Sequence, residues 1–380
     1  MALFLFWLCL ALLAYVYVGY PLLLAVLPKR DVAAREDLPE ARLPTVSLIV
    51  AAYNEEKVIE DKVRNALALD YPRDKLEIWV ASDGSTDRTN EILARFEGEA
   101  VRVHYVEPRG GKTRALNLTV PLTTGEILVF SDANAMYRPD ALRKLVRHFA
   151  DPRVGAVSGD VRLLNEDISF GQSEGLYYRY ERWIQLQESR LGSIVGVDGA
   201  MYALRRELFV PPSNNIILDD FVISMTAAGR GFRVLYDPEA VATESATPDA
   251  AQEFRRKVRI SAGAAQAAVQ GEGLPPLGQP LLLWGYVSHK ALRWLSPWFL
   301  LGLFLANVHL LSRSAGYGLF LAAQAACYGL ALYGVRRSRE QMPRLVQIPF
   351  FFVLQNAAYL IGVVKGLLTV QTGTWERTER

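Results

Sequence analysis

Four stretches of this chain are almost free of charge, and they limit what it can fold into. Residues 1–28 contain no Asp, Glu, Lys, Arg or His. Neither do 314–335 or 345–364, and 294–312 contains only His309. A bilayer-spanning helix needs about 20 mostly apolar residues. One such run could be a core helix of a soluble domain; four, three of them clustered at one end, predict membrane insertion. The first run has no basic segment ahead of it and exceeds the roughly 7–15 apolar residues of a secretory h-region, so it reads as a retained anchor. Lys29, Arg30 and Arg35 follow it at once, which places the next segment in the cytoplasm by the positive-inside rule. Arg336, Arg337, Arg339 and Arg344 mark a second cytoplasmic loop.

The remaining bulk properties exclude more than they select. A net charge of +2 gives no global field for nucleic acid. Cys9 and Cys327 both lie in apolar runs, so the chain has neither a disulfide framework nor a zinc site. His104, His148, His289 and His309 are scattered without ligand spacing.

Residues 29–44 are rich in charge and Pro, as a linker is. A rhythm then begins. VSLIVAA (46–52), LEIWVAS (76–82), VRVHYVE (101–107) and EILVFSD (126–132) read as strands. Helical spacing runs through 55–69, with Val58, Lys62, Ala66 and Leu67 in register. A second helix follows DGSTDRT, capped by Ser85 or Asp87. A third starts at Pro139, with Leu142, Leu145, Val146 and Phe149 on one face. Strands alternating with helices predict an α/β fold around a mainly parallel sheet. Ligands of such sheets gather at the strand C-termini, here after residues 52, 82 and 131. Those places hold AAYNEE, SDGS and SDAN. A single carboxylate there is usually a cap or turn residue; three on one edge predict a site. GGKT (110–113) is not a P-loop, because Val106 stands where the first Gly belongs. It still offers a pliant backbone and one cation.

With these motifs on one sheet edge, the chain resembles the membrane-bound family 2 glycosyltransferases, the group of cellulose, chitin, hyaluronan and poly-N-acetylglucosamine synthases. The resemblance implies a GT-A (Rossmann-like) catalytic domain flanked by transmembrane helices. VSLIVAAYNEE resembles the family's base-binding strand and loop, which carries donor binding to Ala52, Tyr53 and Glu55. Asp83 matches its nucleotide-binding aspartate, and Asp132 the first acid of the Asp-x-Asp metal motif. LDDF (218–221) resembles the element whose second acid is the catalytic base, so that role falls on Asp220, with Asp219 on the acceptor side. RKVRISAG (256–263) resembles the Gln-x-x-Arg-Trp helix over the diphosphate, adding Arg256 and Arg259 to the donor-binding set beside Lys112. VGVDGAMYALRREL (195–208) resembles the acceptor-side bend, with Asp198 and Gly199. WERTER (375–380) resembles the tails of the group.

Three positions depart from the family pattern, one being Arg256, which occupies the Gln position of the closing helix. Asn134 replaces the second acid of the metal motif, so Mg²⁺ or Mn²⁺ would gain an uncharged oxygen ligand there at best. Ile260 stands where the synthases carry an acceptor-stacking Trp, which predicts short or single-sugar products. Trp183, Tyr177, Tyr178 and Tyr180 could supply another aromatic platform, although aromatics in such a helix commonly serve packing.

The expected organisation is an N-terminal transmembrane helix (1–28), a cytoplasmic GT-A domain (29–278), an interfacial helix (279–293), about three transmembrane helices (294–370) and a tail (371–380). The expected activity is inverting, metal-dependent transfer from a nucleotide sugar, first of all a UDP-sugar, to a glycan or lipid-linked acceptor in surface polysaccharide synthesis. The setting is the inner cell membrane, with membrane lipids as surroundings, no nucleic acid, and an accessory membrane subunit or oligomer if a channel is to be lined. The alternative within the class is single-sugar transfer to a membrane lipid. The alternative outside it, an inactive nucleotide-binding receptor, should lack at least one of Asp83, Asp132, Asp220 and Arg259, and none is missing.

Overall fold

The strands expected from short apolar runs are present in the computed structural model, which describes residues 1–29, 36–98, 100–164, 169–245, 250–335, 337 and 342–374. Arg30, Arg35, Arg336, Arg339 and the WERTER tail lie outside the described residues. In chain order the elements are α1 (Ala2–Val26), β1 (Val46–Ala52), α2 (Ile59–Leu67), β2 (Leu76–Asp83), α3 (Thr89–Ala94), β3 (Val101–Val106), α4 (Lys112–Thr119), β4 (Ile127–Asp132), β5 (Met136–Tyr137), α5 (Ala141–Val146), β6 (Val154–Leu164), α6 (Ser169–Leu191), β7 (Met201–Arg205), α7 (Asp219–Gly229), β8 (Arg233–Ser245), α8 (Ala250–Gln270), α9 (Pro280–Trp294), α10 (Ser296–Leu310), α11 (Ala315–Val335) and α12 (Arg344–Leu368).

The eight strands form one sheet in the order β3-β2-β1-β4-β7-β6-β8-β5. β3, β2, β1 and β4 run parallel. β7 is antiparallel to both of its neighbours, β4 and β6, while β6 and β8 are parallel and β5 closes the edge antiparallel to β8. The sheet is therefore mixed and mostly parallel, and β7 is the element that the alternation of strands and helices could not reveal. β1 is buried along its whole length. Its alternate side chains enter different layers. Leu48 and Val50 pack with Ile59, Val63, Leu142 and Leu145, whereas Ile49 packs with Phe130, Tyr202, Leu116 and Val222.

The helix expected from residue 55 begins at Ile59. The turn before it is claimed by the neighbouring loop: Glu55 N–H donates to Thr89 Oγ1 and Glu56 N–H to Asp87 Oδ2. Lys62, in the helical register, is fully buried. Its Nζ donates to Ala135 O and lies over the Tyr137 ring.

α1, α11 and α12 are each long and apolar enough to cross a membrane, and α9 and α10 pass together as a pair bent by 58°. α1 and α10 pack antiparallel, with Cys9 at Gly302 and Tyr17 hydroxyl 3.2 Å from Ser296 Oγ. Phe6, Cys9, Leu13, Leu303, Ala306 and Leu310 fill the space between them, and Tyr317 and Phe320 of α11 close on Phe6. α12 differs. It meets α1, α10 and α11 through Tyr17, Ser296 and Gly334, then runs beside α8, with Gly362 at Ser261 and Gly366 at Ala262. In its most apolar window 44% of residues are buried, against 22% for α1 and 17% for α11. Beyond α12 the chain stays on the catalytic domain: Gln371 O accepts from Gln266, and Gly373 lies against Gly111 and Asn214.

Candidate active site

Three loops at the C-terminal edge of the sheet are laced together before any charged group is placed. Asn54, at φ 54°, accepts Thr86 N–H on its side-chain oxygen, and its own N–H donates to Ser85 Oγ. Tyr53 presents its ring to the Arg109 guanidinium, 3.6 Å from the centroid. Asp83, at the end of β2, is buried and accepts Gly110 N–H on one oxygen and Gly111 N–H on the other, at 2.8 and 2.7 Å. Gly111 has φ +96°, a conformation open to glycine, and this turn launches α4 with Lys112 as its first residue.

Lys112 is the central cation. Its Nζ lies 2.6 Å from Asp132 Oδ1 at the end of β4, 3.3 Å from Gly199 O and 3.9 Å from Asp219 Oδ2. Burial works against the charged amine, but Asp132, Asp219 and Asp220 together hold it above its usual range. Asp219 and Asp220 begin α7, where carboxylates suit the helix N-terminus. Asp220 Oδ2 sits so close to Gly199 that a Cβ there would be 2.8 Å away, so a side chain at 199 would displace this carboxylate. Burial first, and the Asp219 charge second, push the Asp220 carboxyl up to about 7. Burial also raises Asp198, whose Oδ1 accepts Ala200 N–H, and Asp219, whose Oδ2 has no hydrogen-bond partner among the described residues. Four acids from β4, the β7 approach and α7 thus surround one lysine. An acid held near neutrality in such a place can take a proton at physiological pH.

α8 supplies the remaining cations, and they are not equivalent. Arg256 is engaged, with Nε and Nη2 on the buried Glu253 at 2.8 and 3.1 Å and Nη2 also on Tyr178 hydroxyl at 2.9 Å. Arg259, one turn on, is exposed, lies in the field of Asp132, Asp219 and Asp220, and makes no hydrogen bond or ion pair among the described residues. Ile260 is half-buried beside it. Of the sequence-derived set, Lys112, Asp132, Asp198, Gly199, Asp219, Asp220 and Arg259 converge. Ala52, Tyr53, Glu55 and Asp83 line the adjoining loops, and Arg256 is turned to Glu253. Arg109, Glu253 and Lys62 were not singled out as site residues. Glu253 stands three residues before Arg256, a spacing that signals a helical ion pair.

For a divalent cation the donors present are the Asp132 carboxylate and the Asn134 amide oxygen; the amide's buried Nδ2 has no hydrogen-bond partner among the described residues. These are hard ligands suited to Mg²⁺ or Mn²⁺. Among the described residues no group of three or more His, Cys, Asp or Glu could hold a metal, so a bound ion would need further oxygens from a ligand.

Residues 44–263 match the family model described as glycosyltransferase like family 2. The chain is 36% identical over 175 residues to a beta-monoglucosyldiacylglycerol synthase from Nostoc sp. (strain PCC 7120), covering 44% of this chain and 37% of that protein. It is 28% identical over 214 residues to a poly-beta-1,6-N-acetyl-D-glucosamine synthase from Staphylococcus aureus (strain COL), covering 54% and 51% respectively. The chain therefore spans about a third to a half of the length of these curated relatives. Among solved structures it is similar to the mannosyltransferase PcManGT from Pyrobaculum calidifontis in complex with GDP-Man and Mn²⁺, at 28% identity, 96% coverage of this chain, 99% of that one, and a TM-score of 0.72.

Proposed function

Since the chain belongs to glycosyltransferase-like family 2, we propose that it is an inverting transferase that moves a sugar from a nucleotide-sugar donor to a glycan or lipid-linked acceptor at the membrane. The observation that carries this reading is the meeting of Asp220, Asp219, Lys112, Asp132 and Arg259 at one sheet edge. Inversion is a single in-line displacement, needing a base on the acceptor and charge stabilisation behind the leaving group. Asp220 is the base. Tyr53, Glu55, Asp83 and the glycine turn hold the nucleotide, and Lys112 and Arg259 meet the diphosphate. Asp132, with Asn134, would hold Mg²⁺ or Mn²⁺, which supplies neutralisation of the leaving diphosphate. PcManGT, with GDP-Man and Mn²⁺ in its complex, supports a donor and metal of this class.

Addition of one or a few sugars fits this chain better than secretion of a polymer. The space between α1, α10 and α11 is filled by Phe6, Cys9, Leu13, Leu303, Ala306 and Leu310, and Ile260 offers no aromatic platform. In this reading α1, the bent α9–α10 pair and α11 cross the inner membrane, and α12 lies along the cytoplasmic domain, so residues 371–374 share the side of the active site. Labelling of single cysteines at Ser314 and Thr374 tests it: reagent should reach Ser314 from outside and Thr374 only after permeabilisation.

Purified full-length protein in lipid nanodiscs, incubated with Mn²⁺ and tritiated UDP- and GDP-sugars, tests the activity. Transfer or hydrolysis of one donor is expected. Failure to bind any nucleotide would sink the transferase reading.

A further inference from the structure

The bend that leads to Gly199 is held from behind as well as from within the site. Ile194 N–H donates to Val234 O at 2.8 Å and Asp198 N–H to Ser158 Oγ at 3.0 Å, so strand residues fix both ends of this short segment. Between them, Val195 N–H donates to Glu188 Oε2 at 3.3 Å. Glu188 comes from the last turn of α6 and is buried. Its other oxygen accepts the Tyr20 hydroxyl of α1 at 2.6 Å and lies 2.7 Å from His289 Nδ1 of α9. His289 is fully buried, and its Nε2 lies 3.0 Å from Glu181 Oε2, while Arg293 donates to the other oxygen of Glu181. One carboxylate therefore joins α1, α6, α9 and the bend. α9 also bears on the bend by contact. A Cβ on Gly285 would lie 3.0 Å from Val195 Cγ2 and 3.6 Å from the Tyr20 hydroxyl, so the helix backbone itself meets Val195. Tyr286 and Trp294 of α9 place their rings 6.3 Å from that of Phe221. Phe221 follows Asp220 in the chain and covers Gly196, where φ is +83° and a Cβ would be 2.7 Å from the ring. Both walls of the cleft beside Gly199 thus rest on α9. The nucleotide side is built differently: Asn54 and Asp83 tie the loops at the ends of the parallel strands to one another.

We propose that Glu188 and His289 are positioning residues for the acceptor half of the site: they pin the 195–199 bend to α1 and α9, and the donor half does not depend on them. This rests on the reading of that bend as the acceptor side. A pinned bend presents Gly199 and Asp220 at one spacing. A loose bend must be ordered each time an acceptor binds, and that cost falls on acceptor affinity. Losing one hydrogen bond to a carboxylate weakens a coupled equilibrium by about tenfold. On the proposed reading α1 and α9 enter the membrane, so the acceptor half is mounted on membrane helices and the donor half on the sheet.

The test uses the full-length protein in phosphatidylcholine nanodiscs. Glu188→Gln keeps the side-chain volume and weakens the bonds to Val195 and His289. Tyr20→Phe removes one hydroxyl donor and is the milder variant should the first not fold. Ser288→Ala is the control: it breaks the 2.7 Å bond between Tyr15 hydroxyl and Ser288 Oγ, which joins the same α1 and α9 without passing through Glu188. Hydrogen exchange is read first, because it needs no substrate. Amides 195–199 should exchange about tenfold faster in Glu188→Gln and about threefold faster in Tyr20→Phe. The Gly110 and Gly111 amides, bonded to Asp83, should keep the wild-type rate. Unchanged exchange at 195–199, or equal acceleration of both segments, overturns the proposal. Kinetics follow with Mn²⁺, tritiated UDP-glucose or GDP-mannose, and dioleoylglycerol or a glucan tetrasaccharide. Glu188→Gln should raise the acceptor KM about tenfold and leave the donor KM within about twofold of wild type, and Ser288→Ala should move neither. A purely structural Glu188 would lower the melting temperature and leave the two KM values in their wild-type ratio, which also overturns the proposal. Failure of the wild type to bind either nucleotide sugar would instead count against the transferase reading, and the exchange measurement would still decide whether Glu188 pins the bend.

Discussion

Gly366→Ala adds a single methyl group to α12, yet it should slow the enzyme by about a hundredfold. A Cβ at this position would lie 2.3 Å from Ala262 O and 2.9 Å from Ala265 Cβ, both on α8. Neither can swing aside, since one is helix backbone and the other a methyl fixed to it. Ordinary contact between such atoms starts near 3.5 Å, so α8 must retreat by roughly 1 Å. Arg259 is three residues from Ala262, about 4.5 Å along the helix, and moves with it. A misplacement of about 1 Å at a catalytic constellation costs on the order of 10² in rate. The stability cost is smaller: overpacking typically costs about 1–3 kcal/mol, and replacing a helical Gly by Ala returns up to about 1 kcal/mol. The variant should therefore be folded, melt slightly lower and turn over slowly. Initial rates at saturating donor, with nucleotide affinity and thermal melting on the same sample, measure this. Gly329→Ala in α11, where a Cβ meets nothing within 4 Å, is the matched control and should keep the wild-type rate. A Gly366→Ala enzyme as fast as the control would refute the idea that α12 positions α8.

Asp220→Asn should keep donor affinity and lose about 10²–10⁴ in transfer rate, the range for removal of a general base; wild-type turnover would remove Asp220 from the mechanism. The base must be deprotonated to act, and burial with Asp219 pushes Asp220 up to about 7. Activity should thus be full above that pH and fall about tenfold per unit below it, and a flat profile from pH 5 to 8 in initial-rate assays would contradict this. Chelation should abolish wild-type turnover, with Mn²⁺ or Mg²⁺ restoring it, while Asp132→Ala should show no metal-dependent donor binding in calorimetry. Products of the isolated wild-type protein, sized by chromatography, should carry one or a few sugars, and Ile260→Trp should leave donor affinity unchanged.

The parallel half of the sheet was legible because β1, β2 and β4 are short apolar runs that end abruptly in polar residues, and because buried parallel strands have no other common sequence form. The acid positions followed from the same logic of strand ends. β7 was not legible: MYALR is too short and too mixed to announce a direction, and its antiparallel pairing is set by β4 and β6 on either side. Arg256 and Arg259 looked alike in sequence, three residues apart on one helix. The fold separates them, because Glu253 and Tyr178 reach only the first. Lys62 fell in the apolar register of α2 as if it were a hydrophobic residue. It is one geometrically, buried with its amine satisfied by Ala135 O behind the metal-motif turn.

α12, like α1 and α11, is long and apolar enough to cross a membrane. Its composition matches α1 and α11 closely enough to pass any length criterion, but its polar residues are placed differently. Gln347, Gln355 and Asn356 are buried rather than gathered at the ends. In a lipid-facing helix each would leave an amide without water, at a cost of several kcal/mol if unsatisfied. Here each finds a partner: Met342 O for Gln347, Tyr177 and Tyr359 hydroxyls for Gln355, and Ser296 Oγ for Asn356. The other face carries Gly362 and Gly366, which let the α12 backbone press against α8. Small residues in a seam mark close helix packing in water and in lipid alike, so the partner decides which environment the helix occupies. The partner is the helix that carries Arg256 and Arg259, and the residues that follow α12 settle against Gly111. On the proposed reading, an even number of crossings after α1 leaves those residues on the same side as the catalytic domain, and two crossings, the bent α9–α10 pair and α11, satisfy that condition where three do not.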